Sequence, residues 1–427
     1  MIPAPKTPMN TGCPPTETGR LRDVADFIHA RWDDTVRHVP EDQGDLIGLP
    51  HPYTVPCGKD TFQELYYWDT YFTCVGLLHS GRRELAMANA RNFLFLVGRY
   101  GYVPNGSRTH YLTRSQPPYL GPLIRLLETG PEGKALAEEA RPALEREYSF
   151  WIERRGTPTG LARHGNLASP EELRQFFRDI VVRAQLIPGT DAQNLAQASH
   201  ALSECESGWD FTPRFEHRCE DFCPVDLNAN LYLYEILLAD LCPGERPAWL
   251  KRAARRRALF QELLWDEERG AFYDYDFRNG KRSAVLGASA FHALWAGLAT
   301  ARQAERMVRD ALPRLEEPFG LAACEARREP GRLCQWDYPN GWASVQYIAY
   351  RGLARYGYLS EARRVAAKYL SVVCNEFART GDLWEKYNVS SASKPNLEEE
   401  GWISPAMMGW TAGVYLDALD FVHPNRE

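Results

Sequence analysis

Helices that are apolar on nearly every side alternate along this chain with helices that are apolar on one side only. The stretch Leu227–Leu241 carries Leu227, Leu231, Tyr234 and Leu238 on one face and Leu233, Leu237 and Leu241 on another, as a helix covered on both sides must. The next stretch, Pro247–Leu264, sets Lys251, Arg252, Arg255 and Arg256 outside and Leu250, Ala254 and Phe260 within. A similar contrast separates Trp342–Tyr356 from Ser360–Val373. The alternation implies an inner layer buried on both sides and an outer layer half in water. An all-α fold meets it: an (α/α)6 toroid of inner and outer helices, with the connecting loops gathered at one end as a pocket. A flat helical solenoid is the competing arrangement, but no fixed-period repeat runs through the chain.

The remaining candidate helices are Leu21–Val36, Phe62–Leu78, Glu84–Arg99, Leu136–Arg154, Glu171–Leu186, Gln193–Cys205, Ala288–Ala299, Arg302–Leu312 and Ala406–Phe421. Residues 265–276 read as a small hairpin on this helical body. A chain of 427 residues could hold two or three domains, yet no linker favours a split. The expectation is therefore one catalytic domain over residues 1–427, with residues 1–20 as an irregular lead-in.

Composition narrows the function classes. A net charge of −6 argues against a general nucleic-acid binder, because phosphate attraction needs a basic surface. The one dense basic cluster, Arg252 with Arg255, Arg256 and Arg257, reads as a solvated outer face. Met1–Lys6 lacks the apolar core of a secretory signal, and no apolar run reaches membrane length. A cytoplasmic protein with no membrane partner is expected. Cys219 and Cys223, with His217 nearby, lack a second Cys/His pair at zinc spacing. The cysteines are therefore expected to be free thiols, with no metal. No phosphate-cradling glycine loop is present, so no cofactor is expected.

Two acidic residues stand out by their company. Asp210 follows Gly208-Trp209 and precedes Phe211, and Glu385 follows Trp384. Glycosidic bond cleavage needs one protonated acid and one ionised base on opposite sides of a sugar. Apolar neighbours raise a carboxyl pKa by desolvation and keep one member protonated near neutral pH. The chain also holds 12 Trp, clustered around Gly, Asp, Asn and Arg. Flat rings beside a few polar groups suit a sugar, with its apolar faces and polar edges. The expected partner is a small saccharide.

Several runs, in order, resemble the trehalase family of glycoside hydrolases. They are Phe62-Gln63-Glu64-Leu65-Tyr66-Tyr67-Trp68-Asp69, Val103-Pro104-Asn105-Gly106, Arg114-Ser115-Gln116-Pro117-Pro118, Glu206–Phe211, Pro224–Ala229, Gln335–Trp342 and Glu385-Lys386-Tyr387-Asn388. The resemblance implies an inverting α-glycosidase in which Asp210 is the general acid and Glu385 the general base. Their carboxyls would stand roughly 6.5–9.5 Å apart to admit a water. It further implies substrate-binding roles for Phe62, Tyr66, Trp68, Asp69, Asn105, Arg114, Gln116, Glu171, Gly208, Trp336 and Glu400. In that set Asp69 accepts from sugar hydroxyls, Trp68 packs on the ring, and Trp336 lines the pocket further out. Asp337 and Glu206 read as supports behind the contacts, and Asp226 and Asn228 as caps of the following helix.

The departures from the family pattern concern the substrate. Pro56–Thr61 stands where the family has Gly-Gly-Arg, and Ser169-Pro170-Glu171-Glu172 where it has Arg-Pro-Glu-Ser. The glycine-rich lid is replaced by Leu397–Trp402, in which Gly401 stands at the acidic place and Glu400 is expected to substitute from one position away. Two arginines are thus unmatched, which leaves open a non-trehalose α-glucoside such as a glucosylglycerate. A sugar-binding relative that lost catalysis is the reading from another class, and the retention of both Asp210 and Glu385 argues against it.

Overall fold

A computed structural model describes residues 17–327, 334–393 and 405–424. In chain order the helices are α1 (Glu17–Arg31), α2 (Tyr67–His79), α3 (Arg83–Tyr100), α4 (Leu120–Leu127), α5 (Gly130–Arg155), α6 (Pro170–Ile180), α7 (Asp191–Ser207) and α8 (Val225–Leu241). They continue with α9 (Arg246–Leu263), α10 (His292–Trp295), α11 (Ala301–Arg306), α12 (Leu312–Leu315), α13 (Ala343–Arg355), α14 (Leu359–Thr380) and α15 (Gly409–Val422). The strands are two- and three-residue ribbons, among them the hairpin that pairs Trp265–Asp266 with Ala271–Phe272.

The two layers are present. Helix α2 packs against α15 and α4, α4 against α8, α8 against α10, α10 against α13, and α13 against α15, which closes a ring. Outside it, α3 lies on α2, α5 on α4, α9 on α8 and α14 on α13, while α1 rests on α14 and α15. The fold is an all-α toroid. The pair α6 and α7, packed on each other, enters the chain between α5 and α8. Capping boxes start both, at Ser169 with Glu172 and at Thr190 with Gln193, each satisfying two otherwise unpaired N–H groups.

The closest approach in the ring is between α2 and α15. A Cβ built on Gly413 would lie 1.9 Å from the Phe72 carbonyl oxygen, and one on Gly76 would lie 2.4 Å from the Gly413 Cα. Only glycine permits that contact. Gly413→Ala is expected to destabilise the protein by about 3 kcal/mol or more, as overpacking against fixed backbone does. Urea unfolding checks it, and an unchanged midpoint would show that α15 can slide away.

Several expectations are corrected. Helix α2 begins at Tyr67, not Phe62, because Leu65 and Tyr66 pair as extended chain with Gly106 and Ser107. Residues 17–20 are already helical rather than irregular, and residues 1–16 lie outside the described residues. Helix α4 was hidden by Gly121-Pro122. Pro122 sits in its first turn, where no N–H is required, and Gly121 lets the ring of Tyr234 close in. The span 288–299 breaks into a 3-10 turn and the four-residue α10. Asp226 and Asn228 do not cap α8. Asp226 pairs with Arg214, and Asn228 bonds the backbone of Ala162. Arg256 turns inward from α9 to Glu235, at 2.8 Å, rather than out to solvent.

Candidate active site

The N-terminal ends of α2, α13 and α15 meet the loop after α7 around a pocket of about 120 Å³. It is lined by Phe62, Tyr66, Trp68, Asp69, Asn105, Arg114, Gln116, Gly208, Asp210, Trp336 and Glu385. These all belong to the set singled out in the sequence. Also in the lining are Pro56, Tyr111, Gln335, Trp342, Met407 and Trp410, which the sequence reading did not assign to substrate. Of these, Trp342 and Trp410 belong to the tryptophan load that the sequence displays. Glu171 is not brought to the pocket. It stands in the exposed first turn of α6, where its carboxylate meets Arg174 at 3.4 Å. Glu400 and the segment Leu397–Trp402 lie outside the described residues.

The walls are indoles. Trp336 and Trp342 stack face to face at 3.8 Å, Trp209 and Trp68 lie 4.8 and 5.6 Å from Trp336, and Trp410 presents its edge to Trp68, Trp336 and Trp342. Trp336 is 2% exposed, so it forms the heart of this cluster and not an outer rim. Buried cations close the stack: the Lys386 ammonium lies 5.1 Å from the Trp342 ring centre and the Arg214 guanidinium 4.3 Å from that of Trp209. Such contacts hold ring orientations as well as adding attraction. Arg214 is itself fixed between Asp226 and Asp274, at 2.8 and 2.9 Å.

Asp210 is carried by the turn that ends α7. Gly208 caps that helix with φ 72°, and a Cβ there would meet the Trp68 indole at 2.8 Å. The acid-bearing turn therefore lies directly on the ring that α2 offers to the pocket. Burial pushes the Asp210 carboxyl above the usual range, against the opposing pull of Arg114 and Arg183. Asp69, in the first turn of α2, is raised to about 8 by burial and further by the charges of Glu385 and Asp210. Below that pH it is a neutral acid that can donate as well as accept. Glu385 is 8% exposed, and the Trp410 indole N–H donates to its carbonyl at 3.1 Å.

The polar contacts around these acids are fixed in turn. Gln116 Oε1 accepts from the Trp68 backbone N–H at 3.2 Å, satisfying one of the donors that begin α2. The Tyr66 hydroxyl donates to Glu64 at 2.7 Å and touches the Tyr111 hydroxyl at 2.5 Å. The Arg114 guanidinium rides over the Tyr111 ring at 5.0 Å, and its Nε has no partner among the described residues. Glu206 supports both sides of the pocket. It takes two bonds from Arg155, at 2.8 and 2.7 Å, one from the Ser115 N–H at 3.0 Å and one from the Gly165 N–H at 2.7 Å.

The family model described as Trehalase matches residues 13–423. The chain belongs to the trehalase family. It is 34% identical to a periplasmic trehalase of Xanthomonas campestris pv. campestris, over 95% of this chain and 75% of that protein. It is also 34% identical to a cytosolic neutral trehalase of Saccharomyces cerevisiae, over 91% of this chain and 59% of that one. The solved structure of neutral trehalase Nth1 from Saccharomyces cerevisiae superposes with a TM-score of 0.81 at 26% identity, covering 95% of this chain and 94% of that one. This member of the trehalase family is thus a glycoside hydrolase, and its relatives include both periplasmic and cytosolic proteins. No described helix is long and apolar enough to cross a membrane.

Proposed function

We propose that this protein hydrolyses trehalose with inversion, Asp210 acting as general acid and Glu385 as general base. The observation that carries the reading is the meeting of Asp69, Asp210 and Glu385 in one tryptophan-walled pocket, where burial favours a protonated Asp210. Asp210 gives its proton to the glycosidic oxygen as the bond to the anomeric carbon breaks. Glu385 takes a proton from the water that attacks that carbon from the opposite face. One water is consumed and two glucose molecules leave. Asp69 holds the hydroxyls of the sugar being cleaved, with Trp68 beneath its ring. Trehalose is favoured over other α-glucosides by the names and coverage of the relatives at 34% identity. A cytoplasmic address is the companion reading, supported by nine described cysteines that are all free and buried.

Anomer-resolved NMR of the first minutes of hydrolysis tests this. Inversion at one residue of trehalose releases α- and β-glucose in equal amounts before mutarotation. A product that is α-glucose alone would mean retention and would sink the acid–base assignment. Activity on glucosylglycerate with none on trehalose would move the substrate while leaving the reaction in place.

A further inference from the structure

We propose that Glu147, which reaches inward from the outer helix α5, is a positioning residue for Trp68 and Asp69. The inference deepens the reading above and rests on it for the role of those two side chains. Glu147 is wholly buried. Its Oε1 accepts from the Tyr67 hydroxyl of α2 at 2.7 Å, and its Oε2 from the Tyr234 hydroxyl of α8 at 2.6 Å. The two hydroxyls lie 3.1 Å apart. The Tyr67 oxygen also accepts the N–H of Leu120, the first residue of α4, at 2.9 Å. One carboxylate thus joins three consecutive members of the inner ring. The bonds end one residue short of the pocket, because Tyr67 opens α2 and Trp68 and Asp69 follow it into the lining. Successive side chains on a helix stand about 100° apart. Fixing the Tyr67 hydroxyl therefore fixes the direction in which Trp68 and Asp69 point. The Tyr67 N–H is itself bonded to the carbonyl of Asn105, another pocket residue, at 3.1 Å.

Stability alone does not account for a carboxylate at this place. Four other buried acids, Glu206, Glu235, Asp226 and Asp417, each pair with an arginine. Glu147 makes no ion pair among the described residues, and burial raises its carboxyl to about 7 against the pull of the Tyr234 and Tyr67 hydroxyls. A buried carboxylate without a cation costs more than a neutral amide of the same shape. What the ionised carboxylate supplies is two acceptors and no donor, so both hydroxyls are held in the donating orientation. An amide has one oxygen and a donating NH₂, so one of the two hydroxyls would have to turn. Tyr67 is the one whose turning reaches the pocket.

Glucose titrated into the protein at pH 8 by calorimetry, with kcat and KM on trehalose alongside, separates this role from a structural one. Glu147→Gln and, independently, Tyr67→Phe are each expected to weaken glucose binding and raise KM about 3- to 10-fold, the range for one lost hydrogen bond. The value of kcat should change less than about two-fold, as it does when ground state and transition state lose the same contact. Glu147→Gln should at the same time resist urea at pH 8 at least as well as wild type. A carboxyl raised from 4.5 to about 7 on folding loses stability as pH rises through that range, and the amide does not. Tyr148→Phe is the control. It removes a comparable buried bond, 2.7 Å to Glu235, from the next residue of α5, and should lose stability while glucose binding stays unchanged. Unchanged glucose binding in both test variants, or equal weakening in Tyr148→Phe, would overturn the positioning role. Weakened glucose binding in a protein inert on trehalose would support the role and overturn the reaction instead.

Discussion

Asp210→Asn is expected to reduce kcat on trehalose by about 10²–10⁴-fold with little change in KM, the loss that follows removal of a positioned general acid. The side chain keeps its shape and its place on the turn after Gly208, so binding should persist while proton donation fails. Glu385→Gln should lose activity on the same scale, for want of a base to activate water. The two roles then separate on α-glucosyl fluoride, because fluoride departs without needing a proton. Asp210→Asn should regain most of its lost rate on that substrate, and Glu385→Gln should regain little. The reverse pattern would exchange the roles, and equal behaviour would show that neither is the acid. The environment of Asp210 gives the reason for expecting this assignment. It is partly buried, and burial raises its pKa more than Arg114 and Arg183 lower it, a shift toward the protonated form that a general acid needs. The alkaline limb of kcat/KM reports the protonated acid and should disappear with Asp210→Asn.

What was legible in the sequence followed from how local each signal was. The two-layer toroid came through because all-round and one-sided apolar helices differ over a dozen residues, which periodicity resolves well. The pocket residues came through because each sits in a short run of aromatic and polar side chains. Helix α4 was lost because Gly121 and Pro122 read as a turn, and only packing on Tyr234 reveals what the glycine is for. The apolar spacing of Phe62–Tyr66 fits a helix. The extended pairing with Gly106 and Ser107 comes from a strand partner some 40 positions away, roughly the reach at which local pattern carries no information. Glu171 was misplaced because the first turn of α6 is exposed, where its carboxylate meets Arg174 instead of the pocket. The direction in which a peripheral helix points depends on its packing against α7, and nothing in its own residues encodes it.

Glu206→Ala is expected to lower stability by about 3–5 kcal/mol near neutral pH, the cost of leaving a buried charge without its partner. Glu206 and Arg155 are almost wholly buried, so water cannot replace the lost carboxylate, and the Ser115 and Gly165 N–H groups lose their acceptor as well. The pH dependence gives the test its sign. Burial by itself would raise the Glu206 pKa, but the Arg155 guanidinium and the neighbouring hydrogen bonds bring it down to about 2. A carboxyl whose folded pKa is lowered contributes stability that is fully present above its unfolded value of about 4.5 and lost as pH falls through about 2. Denaturant unfolding at pH 7 and again at pH 3 should therefore show the gap between wild type and Glu206→Ala narrowing at the acid end. A gap that stays constant would mean the carboxylate contributes by packing and not by charge. Activity should fall further than stability requires, because Ser115 sits between Arg114 and Gln116 in the pocket wall. Releasing its N–H loosens the contacts to the sugar while α7 and its acid turn lose their tie to the opposite wall. Glu206→Gln keeps the shape and two acceptor positions on one oxygen, so it should recover part of the folding loss and less of the catalytic loss. If both recover together, Glu206 is a folding residue alone and the two walls of the pocket are held by something else.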